Sequence, residues 1–556
     1  MPNVFKKIIF AALIFLMFVP LLQQVTGYFY ESELKGAYVK PEKPRFTLSK
    51  ITSLEFQQKT EEYQNFNFGF RSFLIRLRNS INYLFFKDIA VSDQIEGKNG
   101  FIYSVGSIER NITGSAYNGK EKNNSTILQL KNIVDILEKK NVSVVLVLAP
   151  SKESIMPENL PWQYINVKKN GSDYDDFLSY LNKYNIPFID FNSHFKSIKS
   201  EFQYPLFTKT GFHWSVYGAS LAHDSLVAYV QKMVSYSIPK YIRSGVQFSD
   251  TAQLSDADFE PQMNLFFSLQ DDKYVYPKLE MDSSSLKNKK PKVVIIGDSF
   301  FYTIKNLNKL QYIFSDDSKY LYYFKKSFPL SDAAGSDMSD IDVMSEIESA
   351  DVIMLVASLG TLGEFPYGFS DYYLNNQSSG GILDCIKGSI KNMPTRYQFT
   401  ITKAEENNTS LDSFINNQSK TIYRNIQKIQ LKAFNGKYVC ADASKNNLLF
   451  ANRNEAYGWE TFSLINFDDG KSALYSNSNK FLCAELNSLK EITATRESIG
   501  NWESFKLIYI NENVVAIKAD NGKYVSIDNE TFQLYATSDS IGEKEKFTID
   551  YLPTNK

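Results

Sequence analysis

Two residues stand out as able to do chemistry together. Ser299 lies in Gly297-Asp298-Ser299-Phe300, directly after the apolar run Lys292–Ile296. A serine hydroxyl is a weak nucleophile until a neighbouring base takes its proton. The chain has three histidines, and His213 stands beside Trp214 in Phe207–Ala219, a loop leading into a helical stretch. A Gly-Asp-Ser triplet alone can simply make a turn, and a lone histidine is more often a hydrogen-bonded structural residue. Two scarce residue types side by side, with a serine at the end of a strand, point instead to a nucleophile and its general base. In that chemistry the Ser299 amide helps bind an oxyanion, and Gly297 allows close approach of the backbone. Asp298 is read as support for the turn and not as an acid partner of the histidine.

The elements around this pair alternate. Ser143–Ala149 is a short, continuously apolar run, as expected of a strand buried on both faces. A helical stretch over 173–184 precedes a strand at 187–190, and helix returns over 217–234. Strands follow at 292–296 and 351–356. Strands alternating with helices predict an α/β unit with a mostly parallel sheet. Ser299 then falls at the carboxyl end of that sheet, where open α/β sheets hold ligands. Ahead of this unit, aromatic and aliphatic residues recur at helical spacing over 55–87. Residues 30–60 read as an extended juxtamembrane segment.

A chain of 556 residues with 43% hydrophobic content is large enough for two or more buried cores. A net charge of −1 supplies no basic field for nucleic acid. The three cysteines, Cys385, Cys440 and Cys483, have no C-x-x-C spacing and form no metal knuckle. No metal or cofactor is expected. At the N-terminus, Lys6 and Lys7 precede an apolar run from Ile8 to Leu22. With its flanks the run is long enough for a tilted membrane span. The alternative is a cleaved signal peptide ending near Val25-Thr26-Gly27; no A-x-A site stands there, so the anchor is preferred. In both cases the bulk of the chain is extracytoplasmic, held at the cell membrane by one pass or secreted.

The last part repeats itself. Leu431, Leu474 and Ile517 are spaced by 43, as are Tyr438, Phe481 and Tyr524. Glu460-Thr461-Phe462 recurs as Glu503-Ser504-Phe505 and Glu545-Lys546-Phe547, and Trp459 matches Trp502. Three copies with room for about four short strands each predict a threefold β-trefoil. The Asn-Gly-Lys-Tyr-Val and Trp-Glu-x-Phe phrases resemble fascin-like trefoil domains. Trp459 and Trp502 are candidates to bind glycan, although core packing is the preferred reading for them and for Phe462, Phe505 and Phe547. Cys440 and Cys483 are expected to be buried small residues. The resulting division is a signal anchor or peptide over 1–29, the α/β domain over 30–403, an Asn-rich linker over 404–421 and the trefoil over 422–553.

The α/β portion resembles the AlgX/AlgJ-related polysaccharide O-acetyltransferases, also called DHHW or SGNH-like acetyltransferases. Phe68–Arg71 with Arg78-Asn79 is similar to the family's early helix, and Glu96–Tyr103 to its GKDGWLF phrase. Ala149–Lys152 with Pro157–Pro161, then His213-Trp214, then Gly297–Phe300 complete the series in order. The resemblance implies an SGNH-type serine acyltransferase in which Ser299 is acetylated and passes the acetyl group to a sugar hydroxyl. It implies a polysaccharide acceptor, a membrane-bound O-acyltransferase as donor protein and a polysaccharide synthase complex as partners, in exopolysaccharide biosynthesis of the kind found in biofilms. Trp214, Ser358, Thr361 and Lys152 are candidates for the oxyanion or substrate site; Lys152 reads equally well as a surface lysine. The family places an aspartate two residues before the histidine, where this chain has Gly211. A backbone carbonyl that orients His213, an acid from elsewhere, and an inactive domain are all compatible with that glycine. A polysaccharide acetyl esterase and a non-catalytic glycan-binding scaffold are the competing functions.

Overall fold

The computed structural model describes residues 3–29, 32–36, 39–45, 54–269, 273–376, 381–486 and 489–552. Parts of the juxtamembrane segment, residues 30–31, 37–38 and 46–53, lie outside the described residues, as does residue 553 at the end of the repeat region. The N-terminal apolar run forms helix α1, Asn3–Thr26, of which Val4–Thr26 is apolar and long enough to cross a membrane. The helical pattern over 55–87 is two helices, α2 (Glu55–Phe66) and α3 (Arg71–Phe86). They break where Phe70 takes a left-handed conformation.

After a small antiparallel pair, β1 (Gln94–Glu96) and β2 (Ile102–Ser104), a seven-stranded sheet forms the centre of the α/β unit. Its strands are β3 (Ser143–Ala149), β4 (Phe188–Asp190), β7 (Val293–Gly297), β8 (Lys319–Tyr322), β9 (Lys326–Pro329), β10 (Ser336–Asp337) and β11 (Val352–Ser358). The spatial order is β10-β9-β8-β7-β11-β3-β4. The five strands from β8 to β4 are parallel, while β9 and β10 add antiparallel at one edge, so the sheet is mixed. Successive side chains point to opposite faces of a strand, and both faces are covered. Val145, Val147, Val293, Ile295 and Met354 pack on one side with Trp214, Phe300 and the helix Val216–Met233. Leu146, Leu148, Ile296, Ile353 and Leu355 pack on the other with the helix Lys120–Lys139. Register aligns the strand ends: Gly297 pairs with Val356, and Ala149 with Ser358. The segments leaving β3, β7 and β11 therefore emerge along one edge. Strands β5 (Tyr241–Ser249) and β6 (Tyr274–Met281) form a separate antiparallel hairpin with a long excursion between them.

Residues 404–421, expected to be a linker, are helical instead except at the turn 407–410. The helices Ile382–Asn392, Pro394–Glu406 and Leu411–Arg424 form a packed module. Ser410 caps the last of them, and its Asn and Gln residues coat the outside. Ile415 and Ile422 turn inward onto Ile386 and Ile390, and onto Ile465 and Phe467 of the following domain. Arg396, buried on the same module, bonds Asp469 at 2.8 Å and lies 3.5 Å from the centre of the Phe467 ring. The polar sequence thus joins the two domains through packed side chains and a buried ion pair.

The C-terminal part is all β. Strands β12 (Gln427–Ala433) through β23 (Lys546–Tyr551) form one twelve-stranded sheet, and β12 also pairs with β13 (Tyr438–Asp442), closing a barrel. The repeat is visible in its contacts. Hairpins starting at Tyr438, Phe481 and Tyr524 each carry a bulge after that residue. Glu460, Glu503 and Glu545 each accept from the backbone amide three residues earlier. Phe462, Phe505 and Phe547 are buried in the barrel core, as are Ala451, Ala494 and Ala536.

Candidate active site

The turn after β7 is built around Asp298, which is fully buried. Its carboxylate accepts from the Phe300 amide at 3.1 Å, the Ser358 amide at 2.7 Å and the Thr361 hydroxyl at 2.6 Å. The Tyr320 hydroxyl donates to its carbonyl. A buried carboxylate needs such donors. Here they pin the β7 turn to the segment leaving β11. Ser358 and Thr361, candidates for oxyanion donors, are therefore engaged with Asp298. Gly297 also serves the strands more than a ligand: a Cβ there would stand 2.8 Å from Val356 Cβ, and its carbonyl accepts from the Tyr323 amide.

Ser299 opens the helix Phe300–Lys305 from this turn. Its Oγ lies 2.9 Å from His213 Nε2. On the other side of the ring, His213 Nδ1 is 2.5 Å from Asp258 Oδ2. Asp258 Oδ1 accepts from the Phe212 amide at 2.6 Å, so one carboxylate grips both the ring and the backbone of the histidine loop. The arrangement is a Ser-His-Asp triad, recognised by geometry and not by sequence order. His213 and Asp258 side chains are 15% and 26% exposed, so the relay reaches solvent.

Gly211 is explained by this acid. A Cβ on Gly211 would meet Thr208 Oγ1 at 2.5 Å, Ser255 O at 2.8 Å and Asp256 O at 2.9 Å. The position two before the histidine is covered by the very segment that delivers Asp258. That segment is zipped to the histidine loop: Phe259 N donates to Thr210 O, Thr208 Oγ1 to Asp256 O, and Val216 N to Asp256 Oδ1. Asp258 belongs to the excursion between β5 and β6, remote from His213 in sequence, and no local motif marks it.

Trp214 is fully buried and donates through Nε1 to the Phe300 carbonyl at 3.1 Å. It does not reach a substrate; it locks the histidine loop to the serine helix. The Phe300 ring, 4.9 Å from the His213 ring and 5.7 Å from Trp214, completes that lock. Lys152 is buried too, not a surface residue. Its ammonium donates to the carbonyls of Ile102 and Lys209 at 2.9 and 3.0 Å and lies 5.6 Å from the Phe259 ring, beside Asp258. It thereby holds the histidine loop from below. Tyr323, which sequence reasoning did not single out, contacts both the side chain and the amide of Ser299; burial and the nearby Asp298 carboxylate push its hydroxyl up to about 12. Of the other histidines, His223 is fully buried against the Tyr241 hydroxyl, and burial lowers its pKa. Among the described residues, no group of three or more His, Cys, Asp or Glu is disposed to hold a metal.

On the barrel, Trp459 and Trp502 do not pack in the core: they are 48% and 39% exposed, whereas Phe462, Phe505 and Phe547 are buried. Arg453 stands between Asp442 and Glu460, and Arg496 between Glu485 and Glu503, each arginine bridging to the glutamate that follows an exposed tryptophan. Cys440 and Cys483 are buried free thiols.

Residues 96–313 match the family model described as the SGNH hydrolase-like domain of acetyltransferase AlgX. Residues 96–313 are thus related to the AlgX acetyltransferase domain. The O-acetyltransferase domain of Pseudomonas putida AlgJ is similar at 14% identity, over 51% of this chain and 99% of that one, with a TM-score of 0.35. Bacillus cereus PatB1, in a structure with a sulfonyl adduct, is similar at 13% identity over 50% of this chain and 96% of its own, with a TM-score of 0.32. Residues 468–555 match a domain of unknown function, DUF7910. The barrel is also similar to SeviL, in a structure bound to the asialo-GM1 saccharide, at 17% identity over 22% of this chain and 97% of that one, with a TM-score of 0.20. Comparison with curated proteins returns no match.

Proposed function

We propose that this protein O-acetylates a polysaccharide outside the cell through an acetyl-Ser299 intermediate. The observation that carries the reading is the Ser299–His213–Asp258 relay, 2.9 and 2.5 Å long, at the carboxyl end of the sheet of an AlgX-related domain. His213 Nε2 takes the Ser299 proton as Oγ attacks the acetyl carbonyl. The Ser299 amide and the Tyr323 hydroxyl are the donors for the oxyanion that forms. Collapse expels the donor, which takes the proton back from His213. A sugar hydroxyl then attacks acetyl-Ser299, giving its proton to His213 and regenerating the serine. Asp258 holds the ring and balances its charge in both halves. The expected donor is a membrane-bound O-acyltransferase, and a polysaccharide synthase complex supplies the acceptor chain. Helix α1 serves as an uncleaved anchor that keeps the domain on the outer side of the membrane.

The test uses an activated acetyl ester with and without an oligosaccharide acceptor. Peptide mass spectrometry should find the acetyl group on Ser299 when acceptor is omitted, and on the sugar when it is added. Acetyl appearing as free acetate alone, at a rate the acceptor leaves unchanged, would identify an esterase. No acetyl on Ser299 and no turnover would leave a scaffold.

The barrel is read as a β-trefoil that holds the glycan near this site. Exposed tryptophans beside arginines pinned between carboxylates suit sugar rings, with an aromatic face for the apolar side and charged groups for the hydroxyls. Trp459→Ala combined with Trp502→Ala is expected to weaken oligosaccharide binding about tenfold or more by calorimetry, with acetyl-Ser299 formation unchanged. Unaltered affinity would remove the barrel from substrate binding.

A further inference from the structure

Helix α3 is amphipathic in the wrong sense for a water-soluble domain. Asn79, Ser80 and Tyr83 face the protein. Asn79 donates to the Met263 carbonyl at 2.9 Å, and Ser80 accepts from the Phe266 amide at 3.0 Å. Both are buried, as is Tyr83. The opposite face presents Leu74, Leu77, Ile81, Leu84 and Phe85, all exposed, at the i, i+3, i+7, i+10 and i+11 spacing that makes one stripe on a helix. Phe85 and Phe86 at its end are 76% and 75% exposed. A contiguous apolar stripe facing outward marks an interaction surface.

Two observations say what covers it. First, the stripe continues from α1. The Phe70 amide, at the start of α3, donates to Gln23 Oε1 at 3.1 Å, and the Phe70 ring lies 6.0 Å from Phe29 just beyond α1. The start of α3 is thus fixed at the outer end of the span, at the level where an acyl core gives way to headgroups. Second, Arg71 and Arg78, three before and four after Leu74, flank the stripe, and α3 carries no acidic residue, as suits anionic headgroups; Arg76 points away and donates to the Ser32 and Glu33 carbonyls at 3.1 and 3.0 Å. We infer that α3 lies in the membrane interface, with Leu74, Leu77, Ile81, Leu84 and Phe85 in the acyl boundary of an anionic bilayer. The inference rests on the reading of α1 as an uncleaved anchor.

The consequence reaches the catalytic site. The buried side of α3 packs on the segment that supplies the triad acid: Tyr83 clusters with Ile102, Phe259 and Met263, and Asn79 bonds the Met263 carbonyl. Phe259 follows Asp258 directly. The docked helix would therefore brace the acid segment from the membrane side and hold the site close to the bilayer surface, where a membrane-bound acetyl donor has to deliver its group.

The full chain, reconstituted in phosphatidylcholine–phosphatidylglycerol vesicles, would be photolabelled with an apolar diazirine that partitions into lipid, then digested with trypsin. The peptide Asn79–Lys87 should carry label at a level comparable with the Ile8–Lys35 peptide and about tenfold above the peptide holding Trp162, an exposed aromatic on the catalytic domain. The double variant Leu84→Glu, Phe85→Glu should lose label from that peptide without a change in melting temperature. Label on Ile8–Lys35 with none on Asn79–Lys87 would overturn the inference and leave the anchor standing. Label on Asn79–Lys87 alone would support docking and remove the anchor. Neither peptide labelled would overturn both.

Discussion

Replacing Asp258 by asparagine should lower acetyl transfer about ten-thousandfold and leave the fold intact. The reason is the way this carboxylate divides its two oxygens. Oδ1 accepts from the Phe212 amide and Oδ2 faces His213 Nδ1. An asparagine keeps the first bond by pointing its carbonyl at Phe212. Its amide nitrogen must then face Nδ1, and it can only donate. The imidazole is forced into the tautomer with the proton on Nε2, the atom that has to receive the Ser299 proton. Base catalysis stops while every packing contact remains. Turnover with an acetyl ester and oligosaccharide, measured beside the melting temperature, separates the two effects. A loss smaller than tenfold at unchanged stability would show that Asp258 is not the acid of the relay. Gly211→Asp in the same background should not restore activity. The new side chain would run into Thr208 Oγ1 and the carbonyls of Ser255 and Asp256, the backbone that carries the asparagine.

That pairing shows what the sequence could and could not say about the site. Ser299 and His213 were legible because each belongs to a local pattern: a serine closing a continuously apolar strand, and a histidine beside tryptophan in a loop before a helix. The buried strands Ser143–Ala149 and Val352–Ser358 announced themselves by having no polar face. Asp258 had no such signal. It sits among Asp256, Asp258 and Glu260 in an excursion between hairpin strands, and only the tertiary zipper to Thr208 and Thr210 selects one of the three. The empty family position at Gly211 was evidence of where the acid had gone, but in terms of volume, which a sequence does not display. Trp214 and Lys152 lay close to the right place for a different reason. Both hold the histidine loop, one through Phe300 and the other through Lys209, and neither faces a substrate.

The same limit applies to the 404–421 segment. Asn, Ser and Gln fill the positions that face solvent, so composition reads as linker. The helix Leu411–Arg424 is specified by a few inward residues, Ile415, Ile422 and Lys420, whose partners lie in two domains. Tryptophan burial in the barrel failed as an expectation because the repeat keeps residue type in phase without stating which side it faces: the phenylalanine of each Glu-x-Phe phrase is core, and the tryptophan before it is not.

Lys420 shows how firmly that helix is set, and its removal should reverse sign with pH. The side chain is buried, with Nζ donating to the carbonyls of Asn141 at 3.0 Å and Ala350 at 2.9 Å, at the amino-terminal ends of β3 and β11. Burial pulls its pKa down to about 7; Asp351 opposes that, and Arg424, Lys387 and Lys292 add to it. In the unfolded chain the amine keeps the ordinary value of 10.5. Between these values the unfolded state binds the extra proton, so stability rises with pH. Below about 7 both states are protonated, and the folded protein carries the whole penalty of a buried ammonium. The gap corresponds to an upper bound of about 5 kcal/mol. Lys420→Met removes that penalty together with the two hydrogen bonds to carbonyls, which are worth about 1–3 kcal/mol when left unmade. At pH 6 the variant should therefore be as stable as the parent or more so. At pH 10, with the parent lysine neutral and still donating, the variant should be the less stable of the two by about 1–3 kcal/mol. Parallel urea titrations of both proteins from pH 6 to pH 10 measure the difference, in which the other titrating groups cancel. A difference that stays constant across that range would mean that Lys420 remains charged in the fold, held by its carbonyls and by Asp351. The seam between the helical module and the sheet would then be an ionic one, not a neutral one.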